Sequence, residues 1–392
     1  MKDQVEAPGE LPSHWKSAAL GEVATIVNGG TPKSRVAAYW DGEVQWLTPK
    51  DMGKMEGREV ATTPRTITKE GLARSSARLV PSRSIILSTR APIGHLAINS
   101  TPMCFNQGCR GIIPGKDLDG VFLYHFLAAN RQELNALGSG TTFKELSATN
   151  LRAVEVPLPP LEEQKRIVAV LDQAFAALDR ARAHAEANLA DARSLPHALA
   201  QSELLEPLAS GSWLLRPLGE VTMVLDRLRK PITKRDRNPG DVPYYGATGV
   251  VDHVADHIFD EDLVLIGEDG ARWGSGELSA FPISGKTWVN NHAHVLRPDR
   301  NLMRDDFLIA YLNTTDLMPW VSGMTVPKLN QTNLISIPVP LPTLGVQDEV
   351  VRRLKQITTA SEALAHSYRS KVEDTHDLRQ SLLQAAFSGR LT

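Results

Sequence analysis

Cysteine is almost absent. Cys104 and Cys109 are the two in 392 residues, too few for a disulfide framework and suited to a reducing cytoplasm. Long apolar runs are missing as well; none approaches the roughly 18 residues of a membrane-spanning helix. The amino-terminal MKDQVEAPGE is polar where a signal peptide would be apolar. An excess of either charge is also lacking. Lys and Arg number 43 against 45 Asp and Glu, a net charge of −2, so no global basic field announces a polyanionic partner. What remains is ordinary: 42% hydrophobic and 22% charged residues, the composition of a soluble globular protein. The length suits two or three domains.

The chain is written twice. Trp15, Leu20, Gly21, Glu22 and Val23 recur as Trp213, Leu218, Gly219, Glu220 and Val221. SGTTFKELSATNL from Ser139 recurs as SGMTVPKLNQTNL from Ser322, an offset of 183. The same offset carries VPLPPLEEQ (Val156 to Gln164) onto VPLPTLGVQ (Val339 to Gln347), without a gap across 139–208 and 322–391. The middles, 28–105 and 227–290, barely align. Each half is therefore a variable body with similar ends and a tail of fixed length. The boundaries expected are a polar tail at 1–14, bodies at 15–155 and 211–340, and helical spacers at 156–210 and 341–392.

The tails predict long helices. After the proline-rich stop Pro157–Pro160, Glu162 and Glu163 occupy a first turn, where carboxylates suit the helix dipole. Apolar residues then recur at threes and fours. The packing seam expected is Ile167, Leu171, Leu178, Leu189 and Leu195 in the first tail, and Val350, Leu354, Ile357, Leu364, Leu378 and Leu382 in the second. Pro196 should kink or end the first helix near Leu195. Equal tail lengths point to two antiparallel, coiled-coil-like helices related by a pseudo-two-fold. The bodies read as mixed α/β, with strands at Val23–Val27, Ser84–Ser88 and Leu263–Ile266. One helix is expected in each, at Val121–Asn130 and Asp306–Asn313. The fold class is α+β.

Charge by region says more than the total. Residues 16–116 hold 14 basic against 7 acidic side chains; 227–237 hold six basic against Asp236 alone; the first tail, 161–206, is net −3. Basic charge thus gathers in the bodies, where a phosphate backbone could be met.

Catalytic motifs fail one by one. Ser284–Thr287 resembles the end of a phosphate loop but lacks its first glycine, Ala280 standing there. Asp241–Tyr244 is one proline short of the loop with which amino-methyltransferases hold a flipped base. The lone Pro-Asp, Pro298–Asp299, follows the lone Glu-x-Lys, Glu163–Lys165, the wrong order for a nuclease. Cys104 and Cys109 have no companions for a closed tetrahedral site. His253, His257, His292 and His294 lie in Asp- and Gly-rich loops with no clear helix. No metal site and no catalytic residue is expected.

Two diverged bodies, Pro-Leu-Pro-x-Leu-x-x-Gln before each tail, and Phe387–Leu391 (FSGRL) at the end resemble the specificity subunit of type I restriction–modification systems, over 15–392. WLTPKD (Trp46 to Asp51), RAPIG (Arg90 to Gly94), NQG (Asn106 to Gly108), PYYGATG (Pro243 to Gly249), LIGEDGA (Leu265 to Ala271) and WVNNHAHVLRP (Trp288 to Pro298) resemble that family's target-recognition domains. The resemblance implies a non-catalytic reader of double-stranded DNA. It also implies two docked methyltransferase subunits and two motor–nuclease subunits, which would carry S-adenosylmethionine, ATP and magnesium. Side chains able to bond base edges are the candidate contacts. In the first body these are Lys33, Lys50, Arg90, Gln107, Arg110 and Lys144. In the second they are Arg229, Lys230, Tyr245, Arg272, Trp273, Asn291, His292 and Lys328. Two alternatives stand beside this reading: a self-sufficient DNA adenine methyltransferase using Asp241–Tyr244, and a coiled-coil scaffold that binds only protein.

Overall fold

A computed structural model describes residues 11–139, 144–323 and 325–391. The chain forms two compact units, one of residues 1–183 with 371–392 and one of residues 184–370. Each unit holds one body and a segment of each of two long helices, Leu161–Ala209 and Leu344–Phe387.

In the first unit Lys16–Ala19 pairs antiparallel with Glu155–Leu158, closing the body where chain enters and leaves it. A five-stranded sheet runs in the order Ala24–Asn28, Cys109–Pro114, Ile85–Ser88, Leu96–Asn99, Glu59–Val60. A second sheet orders Thr66–Ile67, Trp40–Leu47 and Met103–Phe105. Ile85, Ile86 and Leu87 are buried on both faces, so this strand reads as a continuous apolar run rather than an alternation. Gly29 is demanded by closeness. A Cβ there would sit 1.9 Å from the Asn106 carbonyl oxygen.

The second unit repeats this plan. Leu215–Pro217 pairs with Pro338–Pro340. One sheet orders Thr222–Val224, Ala293–Pro298, Leu263–Gly267 and Ala280–Ile283. The other orders Gly249–Val254, Val242–Gly246, Lys286–Val289 and Phe259–Asp260. The expected body helices are present as Gly120–Ala129 and Asp305–Thr314.

Both long helices pack into both cores. In the first unit Ile167 and Leu171 meet Leu383 and Ala386 beneath Phe122, Leu123, Phe126 and Leu127. Phe387, from the terminal FSGRL, lays its ring 5.2 Å from Phe122 and 5.4 Å from Phe126. In the second unit Leu204 and Val350 do the same beneath Phe307, Leu308, Tyr311 and Leu312. Leu204 stands 183 residues before Phe387, so the first tail has an apolar plug where the second has its terminal phenylalanine. Pro196 and Pro207 both lie inside the first helix, which continues to Ala209 and does not end at Leu195. The seam also departs from the heptad expectation. Leu195, Leu364 and Leu378 are 41%, 45% and 50% exposed, whereas Ala185, Ala192, Ser361 and Ala365 are buried. A straight helix drifts about 20° per heptad from a strict seven-residue repeat, so small residues come to face the partner and distal leucines rotate out. Leu178, Leu189, Leu354, Ile357 and Leu382 are half-buried.

Candidate nucleic-acid interface

The motif Pro-Leu-Pro-x-Leu-x-x-Gln sets the geometry of each half. Gln164 and Gln347 are fully buried. The Gln164 carboxamide accepts from the Asp119 backbone N–H (2.8 Å) and donates to the carbonyls of Asp117 and Pro159 (2.9 Å each). Gln347 accepts from the Arg304 N–H (2.8 Å) and donates to Leu302 (2.8 Å) and Pro342 (2.9 Å). One side chain thus satisfies two backbone groups at the start of each body helix and one just before its own long helix, groups costly to leave unpaired.

The same register locates a rim of polar side chains in each body. In the first, Leu146 N–H donates to Thr89 O and Thr89 N–H to Gly108 O (2.8 Å each). In the second, Leu329 donates to Glu268 and Glu268 to His292 (2.8 Å each). Asn106 and Asn290 are therefore equivalent, and both turn the chain alike. The Asn106 side-chain oxygen accepts from Gly108 N–H at 3.0 Å and that of Asn290 from His292 N–H at 2.8 Å. The tip of each turn is an exposed carboxamide, Gln107 or Asn291, a group suited to the adenine edge.

In the first body the rim gathers Arg90, Gln107 and Arg110 around Glu145, which pairs with Arg90 at 3.0 Å and Arg110 at 3.3 Å. Gln107 also accepts from the Thr31 hydroxyl. Lys144 adjoins Glu145 and is half-buried; residues 140–143 of the same loop lie outside the described residues. Lys33 and Lys50 are exposed, and the ion pairs of Glu145 are with Arg90 and Arg110 instead. Lys50, with Lys54, Arg65 and Trp46, lines a cleft of about 530 Å³, and Arg65 is stacked 3.8 Å over Trp40.

In the second body the rim gathers Arg229, Asn291, His292 and Lys328 around Glu268 and Asp269. Glu268 receives Arg229 at 2.5 Å and Lys328 at 2.7 Å, and Asp269 receives His292 at 2.6 Å. Burial alone would raise the Glu268 carboxyl, but the hydrogen bonds from Lys328 and Arg229 outweigh it and hold the pKa below the usual value. Lys230 is exposed and Arg272 is exposed beside Glu277. Tyr245 is half-buried against Phe281. Trp273 does not face outward. It is 4% exposed and donates its indole N–H to the Gly267 carbonyl, which makes it a core residue.

Among the described residues one cluster offers metal-ligand types: Asp226, Glu268 and His294. Its donors are already spent. Arg229 bridges Glu268 and Asp226, Lys328 takes the other Glu268 oxygen, and His294 lies between Asp226 (2.5 Å) and the Leu329 carbonyl (2.6 Å). Two fixed cations stand where a metal would, so the set fits an ion-pair network and not a metal. Sequence reasoning missed Glu145, Glu268 and Asp226; the groups they hold lie 26 to 68 residues away along the chain, except Arg229, three residues from Asp226.

The rejected motifs have structural roles. Tyr244 is buried in a strand, its hydroxyl accepting from Ile232 N–H at 3.0 Å. Gly285 at φ +63° turns the chain between two strands. Cys104 and Cys109 are buried thiols with pKa pushed up to about 12 by that burial.

Two like halves, each a two-sheet body with a long helix, define the fold of a duplicated recognition subunit. The chain matches the family described as the type I restriction modification DNA specificity domain over residues 12–186 and 211–373, and it belongs to that family. Members are the specificity subunits, the non-catalytic component of type I restriction–modification enzymes. The chain is 34% identical over 165 residues to the type I restriction enzyme MjaIX specificity subunit of Methanocaldococcus jannaschii, covering 42% of this chain and 38% of that protein. That match spans about two fifths of the relative's length. It is 22% identical to the StySPI specificity subunit of Salmonella potsdam over 98% of this chain and 90% of the relative. In fold it is similar to the HsdS subunit from Thermoanaerobacter tengcongensis (TM-score 0.68, 20% identity, 98% and 100% covered). A structure described as underlying complex assembly and conformational transition of the type I R-M system is similar too (TM-score 0.74, 20% identity, 98% and 100% covered). Among the described residues no helix is long and apolar enough to cross a membrane.

Proposed function

We propose that this specificity subunit reads double-stranded DNA with both bodies, each taking one half of an asymmetric, gapped site, while the long helices set the gap. The reading is supported above all by the repeated rim. An exposed carboxamide, Gln107 or Asn291, is flanked by guanidinium or ammonium groups on a scaffold held alike by Gln164 and Gln347. Bases differ between the half-sites because the rims differ. Two methyltransferase subunits dock on the helices and two motor–nuclease subunits complete the restriction enzyme. S-adenosylmethionine, ATP and magnesium belong to those partners.

The test is to replace residues 16–140 with the first body of another family member and map methylated adenines in the host. One half-site should change and the other persist; a change in both would overturn independent reading. Four residues inserted near Ala181 keep the apolar stripe nearly in phase and lengthen the helix by about 6 Å. The gap should then grow by one or two base pairs of about 3.4 Å each. Binding of S-adenosylmethionine by the purified single chain would favour the methyltransferase reading instead. Absence of salt-dependent duplex binding together with the methyltransferase partner would favour the protein scaffold.

A further inference from the structure

The clamps at Gln164 and Gln347 make body and helix residues comparable between halves: Asp119 corresponds to Arg304, and each helix residue to the one 183 later. At this joint the charges on both sides are reversed. In the first half the helix offers Lys165 and, two turns on, Asp172. In the second half the same helix positions are Asp348 and Lys355. The bodies answer in kind. Lys165 pairs with Glu162 of its own helix at 2.7 Å, and Asp119 stands where Arg304 does in the second half. Arg58 grips Asp172 with both nitrogens, at 2.5 and 2.8 Å, and His125 adds a third bond at 3.1 Å. In the second half Arg304 grips Asp348 at 2.9 and 3.2 Å, and Asp306 takes Lys355 at 2.5 Å.

We propose that this joint is a charge key by which each body accepts its own helix and is repelled by the other's. The backbone clamp is the same in both halves, so it does not distinguish one body from the other. The ion pairs do. Each is partly exposed and contributes little attraction by itself. A crossed pairing, however, sets Arg304 over Lys165 and Asp306 over Asp172, two like-charge contacts that also leave Arg304, Asp306 and Asp172 without their partners. Specificity arises from that repulsion. The chain joins each body to its own helix between Leu158 and Leu161 and between Pro340 and Leu344; the key disfavours a body of the wrong half at that joint, whatever the bodies read.

A full-length chain carrying the second body (215–340) in place of the first tests this directly. On the natural first helix the graft meets mismatched charge; with Lys165→Asp and Asp172→Lys it meets matched charge. The matched graft should melt about 5 °C higher and resist limited proteolysis better. Equal melting and equal proteolysis would overturn the key. Should neither graft fold, the natural chain decides through Arg58→Glu, Asp172→Lys and the double variant. Each single change should lower the midpoint by about 3 °C, and the double should regain at least half of the summed loss. A double variant that loses the full sum overturns the proposal.

Discussion

The two halves share what holds backbone and differ in what holds charge. Gln164 and Gln347 make the same three hydrogen bonds to the same three places. Around the rims the agreement ends. The cations of the first gather about Glu145, itself one-third exposed; those of the second gather about Glu268, at 11% side-chain exposure, with Arg229 at 13%. A buried amide clamp tolerates little change, because every alternative strands backbone groups. An ion-pair cluster can be rebuilt with either sign as long as the partners change together. Duplicated architecture therefore diverges first through its charges.

The largest effect should come from what the halves share. Replacing Gln347 by leucine leaves one part-buried N–H and two carbonyls without their amide partner, at about 1–2 kcal/mol each. The midpoint measured by calorimetry should fall by about 10 °C. Gln164→Leu should match it, and a clear inequality would show that the clamps are not equivalent. Next come the rims. Glu268→Gln leaves the Arg229 guanidinium buried without its main partner and should cost about 3 kcal/mol. Glu145→Gln, at a carboxylate that is itself one-third exposed, should cost less than about 1 kcal/mol. Denaturant unfolding of the two variants separates these outcomes.

The smallest effect concerns pH. His125 is buried against Phe175, and that burial pushes its pKa below the ordinary value, although Asp172 opposes the shift. The unfolded chain takes a proton near pH 6.5, before the folded chain does. Stability contributed by neutral His125 is therefore present above pH 6.5 and lost as pH falls below it, by at most about 1.4 kcal/mol per pH unit. The Asp172 carboxyl, held low chiefly by Arg58, loses its contribution only in more acid solution. His125→Gln should flatten the melting midpoint between pH 7 and 5. The corresponding Ala310 of the second half has nothing to titrate, so Ala310→Gln should leave the pH profile unchanged.

Much of this fold was written in local patterns. The offset of 183, the helical periodicity after each proline-rich stop and the apolar run at Ile85–Leu87 all act over a few residues or by direct repetition. They give the duplication, both long helices and the central strands without any tertiary contact. The sequence also marked Gln164 and Gln347 as recurring, but not their purpose, since the groups they satisfy belong to loops up to 47 residues away. Tertiary structure alone decided which candidates share a rim. Arg90 and Arg110 reach Glu145 across 55 and 35 residues, and Trp273 turned inward because the Gly267 carbonyl needed its N–H. It also decided the helix seam, where Ala185 and Ser361 are buried while Leu195 and Leu378 face solvent. Periodicity names a stripe on one helix. The closeness of the other helix, which no single stripe encodes, selects the side chains that fit there.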